Sequence, residues 1–369
     1  MLQSRLLAKT VQLAPAQHML FLNSAANPFV MLAVQHFSAY YQSPGQGVIT
    51  LAEDNIAALH TALKEARGGA LATDNLRHVA FHEYTLREPA ATMDVAIMDL
   101  LYQPNNAWMM HGLELAAYAL KAGGRLYVVG AKDRGILTMA KRMQTLFGNV
   151  ETLAISKGHR VVSSHASNSQ RNRFFAALRM TEQSEQQPEN MLSNHAIFAQ
   201  GKLDEGTSLL LEVLNMPWAV QPADEALDIG CGAGYLGMQI ARLAPQGRVT
   251  MVDASLLTVA MAQCTIDAAG LTNIRVLPSD GAQAVLEQRF DLVVTNPPFH
   301  HGGIQTTAIA ERFIREAAQV LRPHGRFYLV ANRFLKYEPA LHSSFKLVEE
   351  VGGNTRFKVL RAMLPIVRP

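Results

Sequence analysis

The sequence predicts an α/β protein of two similar domains in tandem, each built on a mostly parallel sheet. Three observations carry that reading. Short apolar strand-like runs alternate with amphipathic helical patterns along the chain. At 369 residues, nearly half of them apolar, the chain is long enough to bury two cores. The two halves also repeat each other element by element, the mark of a duplication.

The repeat can be followed in order. In the first half "MDVAIMDLLY" is a strand opened by an apolar–Asp pair. It leads to the helical pattern "HGLELAAYALKAGG" with its Gly stop, then to the strand "RLYVVGAK". In the second half "FDLVVTNPPF", "AERFIREAAQVLRPHG" and "RFYLVANR" take the same places. Between the halves lies "TEQSEQQPEN", 181–190, which is polar, Gln-rich and holds a Pro, and it reads as a linker. The expected domains are therefore 1–180 and 191–369.

The copies differ where chemistry would sit. The second half carries "ALDIGCGAGYLG" after its first strand, whereas "LFLNSAANPFVM" in the first half has no glycine. The second half has Asn-Pro-Pro-Phe where the first has "MDLLY". On this reading the first half keeps the apolar skeleton and has lost the polar and glycine features, so catalysis is expected in the second.

Composition excludes several classes. No apolar run is long enough to span a membrane, and the start lacks the apolar core and cleavage site of a signal peptide. Cys231 and Cys264 form neither a disulfide framework nor a zinc spacing, so a cytoplasmic protein without a metal is expected. The net charge is +3, but Gly130 to Met180 holds nine basic residues against Asp133 and Glu151, a local +7. A basic field of this kind suits a polyanionic partner; the plainer account is a solvated face at a domain edge. Lys141, Arg142, Arg171 and Arg173 are its candidate contacts.

"LDIGCGAGYLG" places Asp228 at the end of a buried strand, then Gly230, Gly232 and Gly234, then a helix start. Glycines let the backbone approach a ligand, and a helix start offers unpaired N–H groups. A carboxylate at Asp228 suits a ligand carrying a cation such as an ammonium, and would be a poor neighbour for a pyrophosphate. Asp253 ends the next strand, placed to accept both hydroxyls of a ribose. Ser279 and Asp280 end the third, where an acid can accept from an adenine amino group. Singly each acid is more often a cap or turn residue. Together, at successive strand ends, they fit a ligand crevice beyond the carboxyl ends of an open α/β sheet.

"LDIGCGAGYLG", the Asp of "MVDAS", "PSDG" and "NPPF", in this order, resemble a class I S-adenosylmethionine-dependent methyltransferase over roughly residues 190–369. The resemblance implies two tandem Rossmann-like methyltransferase domains, the N-terminal one degenerate, with S-adenosylmethionine as cofactor. It implies cofactor contacts from Asp228, Gly230, Gly232, Gly234, Asp253, Ser279, Asp280 and Asn296.

Asn-Pro-Pro-Phe suits methyl transfer to a planar NH₂ group. Pro297 biases Asn296 toward an extended backbone, and the two prolines stiffen the loop and remove its N–H groups. The Asn296 side-chain oxygen and the Pro297 carbonyl can accept both hydrogens of one amine, while Phe299 offers a face for a stacked base. Such a site aligns the lone pair and stabilises charge growing on the nitrogen. The plainer account is a rigid strand-end turn. His300 and His301 follow; His300 is a candidate RNA contact, although a solvent-facing loop histidine is the simpler role for at least one of them.

The motif itself leaves adenine-N6, guanine-N2 and glutamine amides open as acceptors. The wider context, "FAQGKLDEGTSLLLEVL", "NPPFHHGGIQT", "YLVANRFLKY" and "TRFKVLRAM", resembles the ribosomal RNA guanine-N2 methyltransferases, and the small-subunit branch most. That implies an enzyme acting on 16S ribosomal RNA, free or in the ribosomal subunit, with the first domain assisting RNA binding; a monomer is expected. A large-subunit guanine-N2 enzyme, and a protein glutamine-N5 or adenine-N6 methyltransferase, are the alternatives. A non-catalytic RNA-binding protein and a nucleotide-dependent oxidoreductase fit the glycine loop and Asn-Pro-Pro-Phe less well.

Overall fold

The computed structural model describes residues 1–39, 47–68, 75–167, 203–298, 300–301, 304–305 and 307–366. The chain divides into two compact units, Met1–Phe198 and Ala199–Pro369. The linker expected at 181–190 lies outside the described residues.

The first unit contains β1 (His18–Leu22), β2 (Val48–Ala52), β3 (Leu76–Val79), β4 (Met93–Asp99), β5 (Leu120–Ala131), β6 (Glu151–Ser156) and β7 (His159–His165). They form one sheet in the order β3-β2-β1-β4-β5-β7-β6. The second unit contains β8 (Glu225–Ile229), β9 (Arg248–Asp253), β10 (Ile274–Pro278), β11 (Phe290–Thr295), a short hairpin of β12 (His300–His301) and β13 (Ile304–Gln305), then β14 (Leu321–Asn332), β15 (Phe345–Gly353) and β16 (Phe357–Pro365). Its sheet runs β10-β9-β8-β11-β14-β16-β15. The two orders are the same. In each, five strands are parallel and an antiparallel pair closes one side. The expected fold class, two tandem Rossmann-like α/β domains with mostly parallel sheets, is the one observed.

Strands buried on both faces read as continuous apolar runs, because helices cover each side of a parallel sheet. Met19 to Leu22 in β1 have no exposed surface. In the second unit the two faces sort by alternation. Ala226, Leu292 and Val294 pack with the helices Glu205–Leu214 and Tyr235–Leu243. Leu227, Ile229 and Val293 pack with Phe313, Ile314 and Ala317 of the helix Ala308–Val320.

The duplication extends to single hydrogen bonds. The His18 N–H donates to Asp94 Oδ2 at 2.8 Å, and the Glu225 N–H donates to Asp291 Oδ2 at 3.0 Å. Lys121 pairs with the first of these acids and Arg322 with the second. The apolar–Asp pair that opens each fourth strand is thus a clamp on the start of the first strand. Strand order reverses beside β8, where β9 lies on one side and β11 on the other. That switch point opens a crevice at the carboxyl ends of the strands, and the residues read from the sequence gather there.

Candidate active site

The glycine loop is built by β8 running out at Ile229. Gly230, Gly232 and Gly234 adopt φ of +72°, +54° and +82°, in the left-handed region that side chains disfavour. The N–H groups of Gly230 and Cys231 donate to the Val252 carbonyl at 2.8 and 3.0 Å, and the Gly232 N–H donates to Asp253 Oδ2 at 3.0 Å. The helix Tyr235–Leu243 begins directly after, with Gly234 at its cap position offering no side chain. A Cβ on Gly232 would meet nothing within 4 Å, so the loop faces open space.

Asp228 sits beneath this loop with no exposed surface. Its Oδ2 accepts the Gly237 N–H at 3.0 Å, while Oδ1 is buried without a hydrogen-bond partner. Burial pushes its carboxyl up to about 7, against the Gly237 N–H and helped by the nearby Asp253 charge. An unsatisfied buried acceptor calls for a donor, and a cationic ligand in the crevice would supply one.

Asp253 ends β9 half-buried, with Oδ1 accepting the Ser255 N–H at 2.9 Å in addition to the Gly232 bond on Oδ2. A carboxylate at this strand tip has the chemistry to accept hydroxyls as well as backbone N–H groups. Ser279, at the end of β10, is buried. Its hydroxyl donates to the Gly281 carbonyl at 2.7 Å and accepts the Ala284 N–H at 3.0 Å, so it shapes the turn. The guanidinium of Arg312 grips Asp280 Oδ1, and an adenine amine would use the remaining lone pairs of that carboxylate.

Asn296 follows β11. Val294 pairs with Asp228 across the β11–β8 ladder, and the Thr295 hydroxyl donates to the Ile229 carbonyl at 2.7 Å. The Asn-Pro-Pro turn therefore leaves the sheet beside the glycine loop. Pro297 is buried and Pro298 exposed. Asn296 Nδ2 donates to Asp204 Oδ2 at 2.8 Å and to Thr207 Oγ1 at 2.9 Å. A cavity of about 290 Å³ opens here, lined among others by Asp204, Asn296, Pro297, Asn332, Tyr337 and Phe357. Phe299 lies outside the described residues, so its stacking role is left to experiment.

Asp204 and Thr207 bond Asn296, Asn332 and Tyr337 line the same cavity, and sequence reasoning misses all four. "LDEGT" does carry a signal for Asp204, an acid three residues ahead of Thr207 at a helix start, where its Oδ2 caps the Thr207 N–H at 3.0 Å. Nothing local announces the partnership with Asn296.

The first unit repeats the crevice with altered contents. Asn23, at φ +45°, takes the turn that Gly230 makes. The Ala25 N–H donates to Glu53 Oε2 at 2.9 Å and the Asn55 N–H to Oε1 at 2.9 Å, the arrangement of Gly232, Ser255 and Asp253. The expectation that this half had lost the polar features is corrected here: the acid is kept, because it holds backbone N–H groups that any residue offers. What differs is filling. Asn27 Nδ2 donates to Asp99 Oδ2 at 2.7 Å, and Gln103 Nε2 bonds the carbonyls of Leu22, Asn23 and Asp99, each at 3.1 Å. Burial pushes Glu53 up to about 7 and Asp99 to about 6.

Of the expected RNA contacts, Lys141 and Arg142 are exposed on the helix Ile136–Phe147. His300 pairs with Gln305 in the β12–β13 hairpin. Arg171 and Arg173 lie outside the described residues. Among the described residues no helix is long and apolar enough to cross a membrane.

Comparison with known proteins bears on this geometry. The family model "Methyltransferase small domain" matches residues 189–361. The ribosomal RNA small subunit methyltransferase C of Pseudomonas entomophila (strain L48) is 34% identical over 283 residues, 74% of this chain and 80% of that protein. That of Hahella chejuensis (strain KCTC 2396) is 31% identical over 308 residues, 82% of this chain and 85% of that one. Among solved structures, the T. thermophilus 16S rRNA N2 G1207 methyltransferase in complex with AdoMet and guanosine is similar at a TM-score of 0.74 and 26% identity, covering 98% of this chain and 92% of its own.

Proposed function

The chain belongs to the ribosomal RNA small subunit methyltransferase C family, and from that premise we propose that it transfers a methyl group from S-adenosylmethionine to the exocyclic N2 amine of a guanine in 16S ribosomal RNA. The observation that carries this reading is the adjacency of two motifs. Val294 pairs with Asp228, so the glycine loop and the Asn296 turn open into one crevice at the switch point.

The residues present fit the cofactor. The buried, unpartnered Asp228 Oδ1 suits its ammonium, the open face at Gly232 leaves room for it, and Asp253, a carboxylate at the tip of the next strand tied to the glycine loop, suits the ribose hydroxyls. Gly230, Gly234, Ser279 and Asp280 complete that wall. When bound, S-adenosylmethionine supplies a methyl group on a positively charged sulfur, and the transfer calls for no metal. Asn296 Oδ1 and the Pro297 carbonyl accept the two hydrogens of the target amine and turn its lone pair toward the methyl-donor side of the crevice. Both acceptors gain strength as positive charge grows on the nitrogen, so they act mainly on the transition state. No strong base is required, because the proton becomes acidic only after transfer.

The second unit, assigned as 191–369, is the catalytic domain on this reading. The first, 1–180, holds RNA through its basic stretch, including Lys141 and Arg142, with the linker at 181–190 between them. A ribosomal RNA substrate suits a cytoplasmic enzyme. The test is transfer of tritiated methyl to free ribosomal RNA and to small and large ribosomal subunits, followed by nucleoside mass spectrometry. N2-methylguanosine in the small-subunit RNA is expected. Label in large-subunit RNA, in protein or on adenine would overturn the assignment.

A further inference from the structure

Asn296 is held from outside its own loop. Its Nδ2 has two acceptors, Asp204 Oδ2 at 2.8 Å and Thr207 Oγ1 at 2.9 Å. Both belong to the start of the helix Glu205–Leu214. Asp204 Oδ2 also accepts the Thr207 N–H at 3.0 Å and lies 3.5 Å from the Thr207 hydroxyl, which is directed at it as a donor. Asn296 and Asp204 line the same cavity of about 290 Å³.

The donors and acceptors of this cluster match in one arrangement only. An ionised carboxylate accepts hydrogen bonds and donates none. The amide nitrogen of Asn296 must therefore face Asp204, and its oxygen must face the other way. The opposite flip would press two acceptors together. Among the described residues nothing donates to Asn296 Oδ1, so the oxygen is left for a ligand. An asparagine without such a partner rotates about a broad, roughly two-fold torsion and presents either end. Presenting its NH₂ to another NH₂ would repel the very group it should hold.

We propose that Asp204 and Thr207 are positioning residues that select the one amide orientation of Asn296 in which an acceptor, and not a donor, meets the amine of the target base. This rests on the reading above, in which Asn296 binds the methyl-accepting amine. The helix cap does not account for the cluster. Capping needs only Asp204 and the Thr207 N–H, whereas the Thr207 hydroxyl and the contacts to Asn296 serve the turn after β11.

The test uses the full chain and two kinds of variant, with single-turnover methylation of small ribosomal subunits, equilibrium binding of S-adenosylmethionine and of RNA, and thermal melting. Asp204→Ser with Thr207→Val keeps a helix cap, since serine caps well, but withdraws both acceptors from Asn296. The methylation rate should fall by about 10- to 100-fold, the scale of a misaligned reacting group, while both affinities hold. The second arm inverts the hydrogen bond. Asn296→Asp sets two carboxylates against each other and should lose activity. Adding Asp204→Asn restores a donor–acceptor pair with its direction reversed and leaves an acceptor facing the cavity; it gives up the bond from the Thr207 N–H, which uses the same Asp204 oxygen, and thermal melting reads that loss separately. That double variant should recover at least about tenfold over Asn296→Asp alone.

A wild-type rate in Asp204→Ser/Thr207→Val, with Asn296→Ala inactive, overturns the positioning role and leaves the role of Asn296 standing. Failure of the reciprocal swap to exceed Asn296→Asp in a folded protein also overturns it. A wild-type rate in Asn296→Ala removes both.

Discussion

Gly232 donates its backbone N–H to the Asp253 carboxylate at 3.0 Å, tying the middle of the glycine loop to the tip of the next strand. The loop and the acid are one unit. The same carboxylate accepts the Ser255 N–H at 2.9 Å, which starts the following helix. A residue proposed to hold the cofactor ribose thus also shapes the wall against which the cofactor lies.

Asp253→Ala should accordingly have two effects. Loss of a charge-assisted hydrogen bond should weaken S-adenosylmethionine binding by about 1.5–3 kcal/mol in calorimetric titration. Two backbone N–H groups also lose their acceptor, so the melting temperature should drop. Asp253→Asn, which keeps an acceptor, should melt closer to wild type. Unchanged affinity in the alanine variant would reduce this strand tip to a turn.

Asp228 gives a pH dependence whose sign can be worked out. Its carboxyl is raised by burial to about 7, above the value of about 4 expected in the unfolded chain. The folded state therefore holds a proton the unfolded state has lost, and stability falls as pH climbs from about 4 through about 7. Asp228→Asn stays neutral, so its melting temperature relative to wild type should rise across that window and level off above it. A cationic ammonium beside Asp228 favours the ionised form. S-adenosylmethionine binding near pH 7 should then release a proton, seen as a dependence of binding heat on buffer ionisation enthalpy. No proton release would argue against Asp228 as the ammonium partner.

Lys141 and Arg142 are both exposed on one helix of the first unit. Reversing them, Lys141→Glu with Arg142→Glu, should weaken RNA binding and flatten its salt dependence by roughly 0.7–0.9 for each phosphate no longer neutralised. Cofactor affinity should not change. A salt slope equal to wild type would leave this face as ordinary solvated surface.

How much of the molecule is legible in the sequence depends on how locally each feature is encoded. The fold is legible because β4 and β11 each open with an apolar–Asp pair, and each sheet writes its buried strands as short apolar runs. Asp228, Gly230, Gly232 and Gly234 can be read from a spacing of seven residues. Asp204 and Thr207 cannot be tied to Asn296, because they precede it by 92 and 89 residues and meet it only when the helix Glu205–Leu214 packs beside β11 and β14. Glu53 escapes for a different reason. The absent glycines of the first half's loop suggest that its polar features are lost as well, whereas an acid at the tip of β2 needs only backbone N–H groups, and Ala25 supplies one as well as a glycine would. Gln103 and Asn27, which fill that crevice, carry no motif at all.

The most direct test of the account is the single-turnover methylation rate of Asn296→Ala on small ribosomal subunits, at saturating enzyme and cofactor, with RNA and S-adenosylmethionine affinities measured alongside. The prolines keep the turn and the glycine loop is untouched, so both affinities should match wild type. Turnover should fall by about 10²–10³, the loss typical of one preorganised electrostatic contact in a transition state. A variant that forms N2-methylguanosine at the wild-type rate would contradict the account and leave Asn296 as a structural bond between β11 and the helix Glu205–Leu214.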